Sequence, residues 1–245
     1  MTMSGALRFG RYAFPPNRLG YCGPPDHKAL LEYVATGEAD GGLLDLARRF
    51  DGAYPYLQLI AHANATDDPF DDRVVEAYWV GNNLLASVDA AAMHEHASER
   101  FAARMRREEF KWLATTLDVA HPHHNFHVFE IYKRAGLHGD PGSAVALGAM
   151  DSCRVSWGTV KSGEAGQLVV ERQPLALVGG KLALGAPELR SVAGQAGGLG
   201  FVDGAKPGDV VSLHWDWACE VLTPAAISQL RAVTLRYIDL TNETL

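Results

Sequence analysis

The chain has 245 residues, 47% of them hydrophobic and 21% charged, with a formal net charge of −7 at pH 7. This composition is typical of a globular protein and excludes wholesale disorder. The negative charge argues against nucleic acid or an anionic membrane surface as the main partner. No apolar run approaches the roughly 20 residues that span a bilayer, and the N-terminus has no secretory signal pattern. We therefore expect neither a nucleic-acid partner nor a membrane partner.

The chain contains three cysteines, Cys22, Cys153 and Cys219. Three are too few for a disulfide framework in a chain of this size, so we expect reduced thiols and a cytoplasmic location. A free cysteine is most often a small buried hydrophobic residue. A chemical role for any of the three therefore depends on its surroundings.

Residues 26–118 predict a mainly helical region. Asp26 and Asp40 are suitable N-cap residues for two helices, and Gly37 is placed to end the first of them. Further helices are predicted over residues 56–63, 71–85 and 89–117. The last of these carries dense Glu, Arg and Lys, which indicates a solvated face rather than a functional surface.

From Met150 onward the pattern changes to short alternating segments separated by glycine. Five strands are predicted, over residues 155–159, 168–170, 175–177, 182–184 and 210–213. Gly179-Gly180 is a hairpin signal, and Thr223 with Pro224 begins a C-terminal helix. The expected fold is therefore α+β, a mainly helical domain followed by a small OB-like β-barrel with a C-terminal helix. We place the two domains at residues 1–145 and 146–245, with the boundary at or just after residues 139–143.

Four of the ten histidines lie within seven residues, at His121, His123, His124 and His127. Imidazole is a common ligand for iron and zinc. An extended segment would place His121, His123 and His127 on one face, whereas a helix would group His123, His124 and His127. All four are candidate metal ligands. The alternative is a hydrogen-bonded turn with exposed histidines.

A second candidate is Cys22, which lies between glycines in the segment Gly20-Tyr21-Cys22-Gly23 just before the first predicted helix. The positive end of a helix dipole favours a thiolate, the form that binds metal or acts as a nucleophile. Cys22 is therefore a candidate metal ligand and a candidate catalytic residue. It could also simply fill space in a tight turn.

Two segments of the second half resemble the HypC-type chaperones of NiFe-hydrogenase maturation. Cys153-Arg154-Val155-Ser156-Trp157-Gly158-Thr159-Val160 is similar to the opening of that family. Gly208-Asp209-Val210-Val211-Ser212-Leu213-His214 is similar to a later strand, which in the family is also followed by a short helix. The resemblance covers about residues 150–240. It departs from the family in that Cys153 is internal and Trp157 replaces a proline.

The resemblance implies a specific function. The family uses its cysteine thiolate to hold iron with carbonyl and cyanide ligands and delivers this unit to the hydrogenase large subunit. By motif position, Cys153 would bind the iron cofactor and His214 would be a nearby ligand or hydrogen-bond partner. The implied partners are the hydrogenase large subunit or other maturation proteins. We expect Cys22, Cys153, His214 and the His121–His127 segment to converge on one cleft between the domains.

Three other functions remain open. The first is a metalloenzyme that holds non-haem iron or zinc through the His121–His127 segment. The second is an enzyme with Cys22 as nucleophile and a histidine as base. The third is an interaction module in which Trp215, Trp217 and Tyr237 contact a partner. The sequence leaves open whether the protein is an enzyme.

Overall fold

The computed structural model describes residues 4–131, 143–164 and 166–243. The predicted α+β class is confirmed, because helices dominate the first part and strands with a final helix form the second. The α-helices are α1 (Gly5–Arg18), α2 (His27–Thr36), α3 (Gly41–Arg48), α4 (Tyr54–Ala63), α5 (Asp72–Trp79), α6 (Ala90–Phe101), α7 (Arg107–Ala114), α8 (Ala144–Cys153) and α9 (Pro224–Asn242). A 3₁₀ turn spans Asn83–Ser87, and a π-helical segment spans Phe126–Ile131.

The predicted caps of the early helices are largely confirmed. Asp40 accepts hydrogen bonds from the backbone N–H groups of Gly42 and Leu43 at 2.8 and 3.1 Å, which satisfies two donors at the start of α3. Asp26 stands at the N-cap position of α2 without a side-chain cap bond, and Gly37 ends that helix at φ 74°. The predicted helix over 71–85 ends at Trp79, and Gly81 at φ 97° separates it from the 3₁₀ turn.

The prediction of one long helix over residues 89–117 is wrong. The chain forms α6 and α7 instead, with Arg106 in extended backbone between them. The Glu109 carboxylate accepts from the Arg106 backbone N–H at 3.2 Å, which satisfies a donor at the start of a new helix. Charged residues continue from α6 through the break into α7, so the charge pattern does not indicate where the first helix ends.

Five strands close into a ring in the order β1-β2-β5-β9-β8, with β8 returning to β1. The strands are β1 (Ser156–Glu164), β2 (Gln167–Arg172), β3 (Leu175–Val178), β4 (Lys181–Leu184), β5 (Glu188–Ala193), β6 (Gln195–Ala196), β7 (Leu199–Gly200), β8 (Val210–His214) and β9 (Trp217–Val221). Neighbours in the ring are antiparallel, apart from one parallel pairing of Ala193 with Trp217 between β5 and β9.

The strand predictions are correct in part. The predicted Gly179-Gly180 hairpin is confirmed, since both glycines have positive φ and join β3 to β4. That hairpin forms a separate two-stranded sheet, so it is not part of the ring. Two ring strands, β5 and β9, were not predicted. β9 was missed because its turn from β8 uses Trp215 and Asp216 at φ 49° and 57°, positions where glycine is the usual signal.

Helix α1 joins the two parts of the chain, although the sequence did not predict it. The Arg8 guanidinium pairs with Glu220 of β9 at 3.0 Å, and the Tyr12 hydroxyl lies 2.9 Å from the Ser212 hydroxyl of β8. The Phe14 ring packs edge-on against Trp217 at 5.0 Å between centroids. One buried hydrophobic core consequently includes residues of the helices and of the ring.

The proposed domain boundary lies within a helix. Helix α8 runs from Ala144 to Cys153 and spans the division between residues 145 and 146. Residues 139–142 of the predicted boundary segment lie outside the described residues, and Ser143 caps α8 by accepting from the Ala146 N–H at 3.1 Å. Within the described part of the chain, no helix combines the length and the apolar character needed to cross a membrane.

Candidate functional site

A buried cluster of His124, Cys153 and His214 lies where three elements end. His124 lies in the helical turn that leads into the π-helical segment, two residues before Phe126; Cys153 is the last residue of α8, and His214 is the last residue of β8. One nitrogen of each imidazole and the Cys153 sulfur lie within 4.8 Å of one another. The Trp215 backbone N–H donates to the Ser152 carbonyl at 2.8 Å, which ties the end of β8 to the end of α8. Backbone contacts between these elements therefore hold the three ligand atoms close to one another.

The orientation of His214 is set by helix α1. Its Nδ1 lies 2.7 Å from the Tyr12 carbonyl oxygen, so Nδ1 carries the proton and donates it. The Tyr12 carbonyl is free because the residue four positions later is Pro16, which has no N–H to complete the helical hydrogen bond. The lone pair consequently lies on Nε2, which is buried and has no hydrogen-bond partner among the described residues. A backbone-anchored imidazole with a free nitrogen is the usual form of a histidine metal ligand.

His124 has partners on both ring nitrogens. Its Nε2 lies 2.9 Å from the Cys153 carbonyl oxygen and 3.9 Å from Cys153 Sγ. Its Nδ1 lies 3.4 Å from the Tyr78 hydroxyl. In the hydrogen-bonded form, Nε2–H donates to the carbonyl. Ligation through Nε2 requires the proton on Nδ1 instead, where the Tyr78 oxygen can accept it.

Burial keeps all three side chains uncharged in the metal-free protein. It raises the pKa of Cys153 to about 12, and the Trp215 side chain, which acts in the opposite direction, does not offset this. Burial lowers the pKa of His124 to about 4 and that of His214 to about 3. Neutral imidazoles are ready to bind metal, whereas the thiol must lose its proton when metal binds.

The residue types fit a transition-metal ion. Two imidazoles and a thiolate suit zinc, iron or copper and leave a fourth position open, as in catalytic metal sites. Ligand atoms in a tetrahedral site are about 3.3–3.6 Å apart, so separations of up to 4.8 Å would have to shorten by as much as about 1.5 Å when a metal binds. Among the described residues, His124, Cys153 and His214 form the one group of three or more His, Cys, Asp or Glu side chains whose ligand atoms lie close enough together to hold a metal ion.

A cavity of about 450 Å³ opens beside the cluster. It is lined by all three cluster residues and by two further residues predicted from the sequence, Cys22 and His127. The remaining lining residues are Pro16, Tyr21, Phe50, Gly52, Ala53, Tyr78, Trp79, Ala149 and Trp215. The structure therefore brings together Cys22, Cys153, His214 and part of the histidine segment in one cavity.

Cys22 lies in the loop between α1 and α2. The Asn17 side-chain amide donates to the Cys22 and Pro24 carbonyls at 2.7 and 2.6 Å, which holds the loop over the cavity. Burial raises the pKa of Cys22 to about 12, opposite to the effect expected from the dipole of the next helix. Helix α2 begins five residues later, at His27, so its N-terminus is not adjacent to the thiol. Cys22 is therefore a protonated thiol in the absence of metal.

The histidine segment divides between two environments. Its helical form turns His124 and His127 toward the cavity, whereas His121 and His123 are not among the lining residues. His123 is fully buried, and its Nδ1 accepts from the Asn125 backbone N–H at 3.0 Å. The His121 carbonyl accepts from the Tyr237 hydroxyl at 2.6 Å. These contacts indicate that His121 and His123 support the fold and do not line the cavity.

Sequence reasoning did not identify three residues that shape the site: Tyr12, Pro16 and Tyr78. Pro16 within an amphipathic segment was the available signal, because a proline in a helix frees the carbonyl four residues earlier. Nothing in the sequence paired that carbonyl with His214, which is 202 residues away along the chain. The Tyr78 hydroxyl likewise meets His124 only through folding.

The buried histidines beside the cavity predict a pH-dependent stability of the metal-free protein. Burial lowers the pKa of His127 to about 3, whereas an unfolded histidine titrates near 6.5. The unfolded state therefore binds more protons below pH 6.5, and the free energy of unfolding should fall as pH falls from about 6.5 to about 4. His127→Gln should reduce this dependence by up to roughly 1.4 kcal/mol per pH unit in urea unfolding. The exposed His62→Gln is the control, and an unchanged slope for His127→Gln would contradict the prediction.

The fold and site define a helical protein built onto a closed sheet with a buried His-Cys-His cluster at the junction. The chain belongs to the family described as a family of unknown function, DUF6390, whose model matches residues 1–245. The family thus covers both the helical part and the sheet. A search of curated proteins and a search of solved structures found no match.

Proposed function

We propose that the protein binds one transition-metal ion through His124, Cys153 and His214. The observation that carries this proposal is the convergence of their ligand atoms within 4.8 Å in a buried pocket. The free Nε2 of His214 supports it, since a buried nitrogen without a hydrogen-bond partner is costly unless it serves as a ligand. A bound metal would supply a Lewis acid with an open position toward the cavity.

The finer proposal is that the metal is iron with carbonyl and cyanide ligands, which the protein helps to assemble and delivers to a hydrogenase large subunit or another maturation protein. Support comes from Cys153 and His214, because the HypC-type resemblance paired these residues and they lie in the same cluster. Cys153 is internal and therefore has no free α-amino group that could act as a nitrogen donor. His124 supplies a nitrogen donor in its place. Cys22 lines the same cavity and provides a second thiol.

A cytoplasmic location is part of this proposal. All three cysteines are free, and an oxidising compartment would favour their oxidation. A buried thiol ligand functions only while reduced, so a reducing compartment suits the site.

The second candidate is a metalloenzyme using iron or zinc. The observation that favours it is the cavity of about 450 Å³ next to the cluster, which is large enough for a small substrate. In this case the histidine segment contributes His124 as a ligand and His127 as a cavity residue. A cargo carrier, by contrast, needs space for the ligands of the iron alone.

The deciding experiment is anaerobic purification followed by metal analysis and infrared spectroscopy. Infrared bands of metal-bound carbonyl and cyanide, lost in Cys153→Ala, would support the maturation proposal. Stoichiometric zinc or iron without those bands would favour the metalloenzyme. Absence of bound metal, together with no uptake of added Fe²⁺, Co²⁺ or Zn²⁺, would overturn both.

A further inference from the structure

The walls of the cavity carry no formal charge. Among the described residues that line it there is no Asp, Glu, Lys or Arg. Eight of its fourteen lining residues have aromatic rings, namely Tyr21, Tyr78, Trp79, Trp215, Phe50 and the three histidines. A charged group held against these walls, away from the metal, would lose its hydration without gaining an opposite charge from a side chain. The cavity therefore suits an uncharged molecule.

The aromatic side chains are packed directly onto the metal-binding cluster. The Trp79 ring lies 4.6 Å from the His124 ring and 5.5 Å from the His214 ring, measured between centroids. Tyr78 meets His124 at 5.8 Å. A molecule bound at the open metal position would therefore have aromatic surface beside it, which favours flat, apolar bodies.

The entrance of the cavity is also aromatic. Tyr21 lies on the loop that carries Cys22, and its ring stacks at a tilt on Trp215 with centroids 4.4 Å apart. Tyr21 is 64% exposed although it lines the cavity, so it lies at the opening. Since Trp215 adjoins His214 in the chain, the entrance and the cluster are separated by a short distance. A small molecule could contact both.

Resting on the proposed metal site as a metalloenzyme centre, in which no carbonyl or cyanide ligand fills the open position, we propose that the cavity binds a small, uncharged, flat molecule whose donor atom occupies that position and whose body packs against Trp79 and Trp215. Three protein ligands leave room for one more donor. A cavity of about 450 Å³ is within the range of small-molecule sites. Molecules whose bodies carry a carboxylate or phosphate away from the metal are disfavoured, because the walls on that side offer them no cationic side chain.

The test uses the full chain loaded with Co²⁺, whose visible absorption reports changes in coordination. Two probes are compared at about pH 8, 3-methylpyridine and nicotinate, which share the same pyridine donor and differ in a methyl group against a carboxylate. We expect 3-methylpyridine to bind at least about tenfold more tightly. Equal or tighter binding of nicotinate would overturn the proposal, as would the absence of a spectral response to either probe.

A variant pair tests whether the ligand occupies this cavity. Ala149 and Val145 lie on α8, but Ala149 lines the cavity whereas Val145 is 83% exposed. Ala149→Phe should fill the cavity and weaken 3-methylpyridine binding by at least about tenfold, whereas Val145→Phe should leave it unchanged. Cobalt stoichiometry should stay the same in both variants. Equal effects of the two variants would contradict the placement.

The cobalt titration also separates this inference from the proposed function. Stoichiometric cobalt that is lost in Cys153→Ala, with no preference for the uncharged probe, would overturn the cavity proposal alone. No cobalt binding, or cobalt binding that survives Cys153→Ala, would overturn the metal site and the cavity proposal with it.

Discussion

Replacing Cys153 with alanine is expected to lower the affinity for Co²⁺ or Zn²⁺ by at least about 100-fold. Cys153 provides the anionic ligand of the cluster, and the two imidazoles that remain are neutral. A divalent ion bound by neutral groups in a buried site would lose hydration without charge compensation. The measurement is a competition titration with a chromophoric chelator, with metal content determined on the same samples.

Two matched variants complete the test of Cys153. Cys219 is fully buried in β9 and is not part of the cluster, so Cys219→Ala should leave metal affinity unchanged. Cys22 lines the cavity but is not part of the cluster, so Cys22→Ala should lower metal affinity less than Cys153→Ala does. Metal affinity in Cys153→Ala equal to that of the unmodified protein would contradict the assignment.

The stability of Cys153→Ala must be measured together with its metal binding. Removing one buried sulfur should cost about 1–2 kcal/mol in the free energy of unfolding of the metal-free protein. A loss of this size leaves the protein folded, so a missing metal would then reflect the lost ligand. Added metal should also raise the unfolding temperature of the unmodified protein but not that of the variant.

The sequence predicted the fold where the local signals were strong. Asp40, Gly37 and the Gly179-Gly180 hairpin are short-range signals, and the structure confirms them. Helix α1 was missed because Pro15 and Pro16 lie inside it, and proline ordinarily ends a helix. Its stability comes from tertiary contacts such as Arg8 with Glu220, which are not visible in a local pattern.

The site was predictable in composition but not in geometry. The sequence indicated Cys22, Cys153, His214 and the histidine segment as one set. All three single residues line the cavity, together with His124 and His127 of the segment. Which histidine of the segment meets Cys153 depends on the helical conformation near residue 124, for which the sequence left two alternatives. The partner of the Tyr12 carbonyl could not be predicted, because Pro16 indicates only that this carbonyl lacks its helical hydrogen bond and nothing in the sequence pairs it with His214.

Asp151→Asn is expected to destabilise the protein by about 3–5 kcal/mol, the second large effect that the structure predicts. Asp151 lies two residues before Cys153 in α8 and accepts from Arg154 at 3.0 Å and from the Leu175 backbone N–H at 2.8 Å. Its other oxygen pairs with Arg172. Arg154 is 1% exposed, so without Asp151 its charge would be buried and uncompensated.

The matched control is Asp216→Asn. Asp216 pairs with Arg190 at 2.8 Å, but both side chains are about half exposed, so this change should cost less than about 1 kcal/mol. Asparagine also tolerates the positive φ of position 216. Urea unfolding of both variants measures the difference. A cost for Asp151→Asn no greater than that for Asp216→Asn would show that the buried network does not hold α8 in place.

This comparison bears directly on the site. A buried ion network is costly to break, yet apolar residues of similar volume often replace one without loss of stability. We infer that Asp151 acts by positioning, since its carboxylate connects the end of α8 to Arg172 of β2 and to Leu175 of β3. That connection places Cys153 opposite His214 at the end of β8. We expect Asp151→Asn to weaken cobalt binding under conditions where the variant is still folded, whereas Asp216→Asn should not.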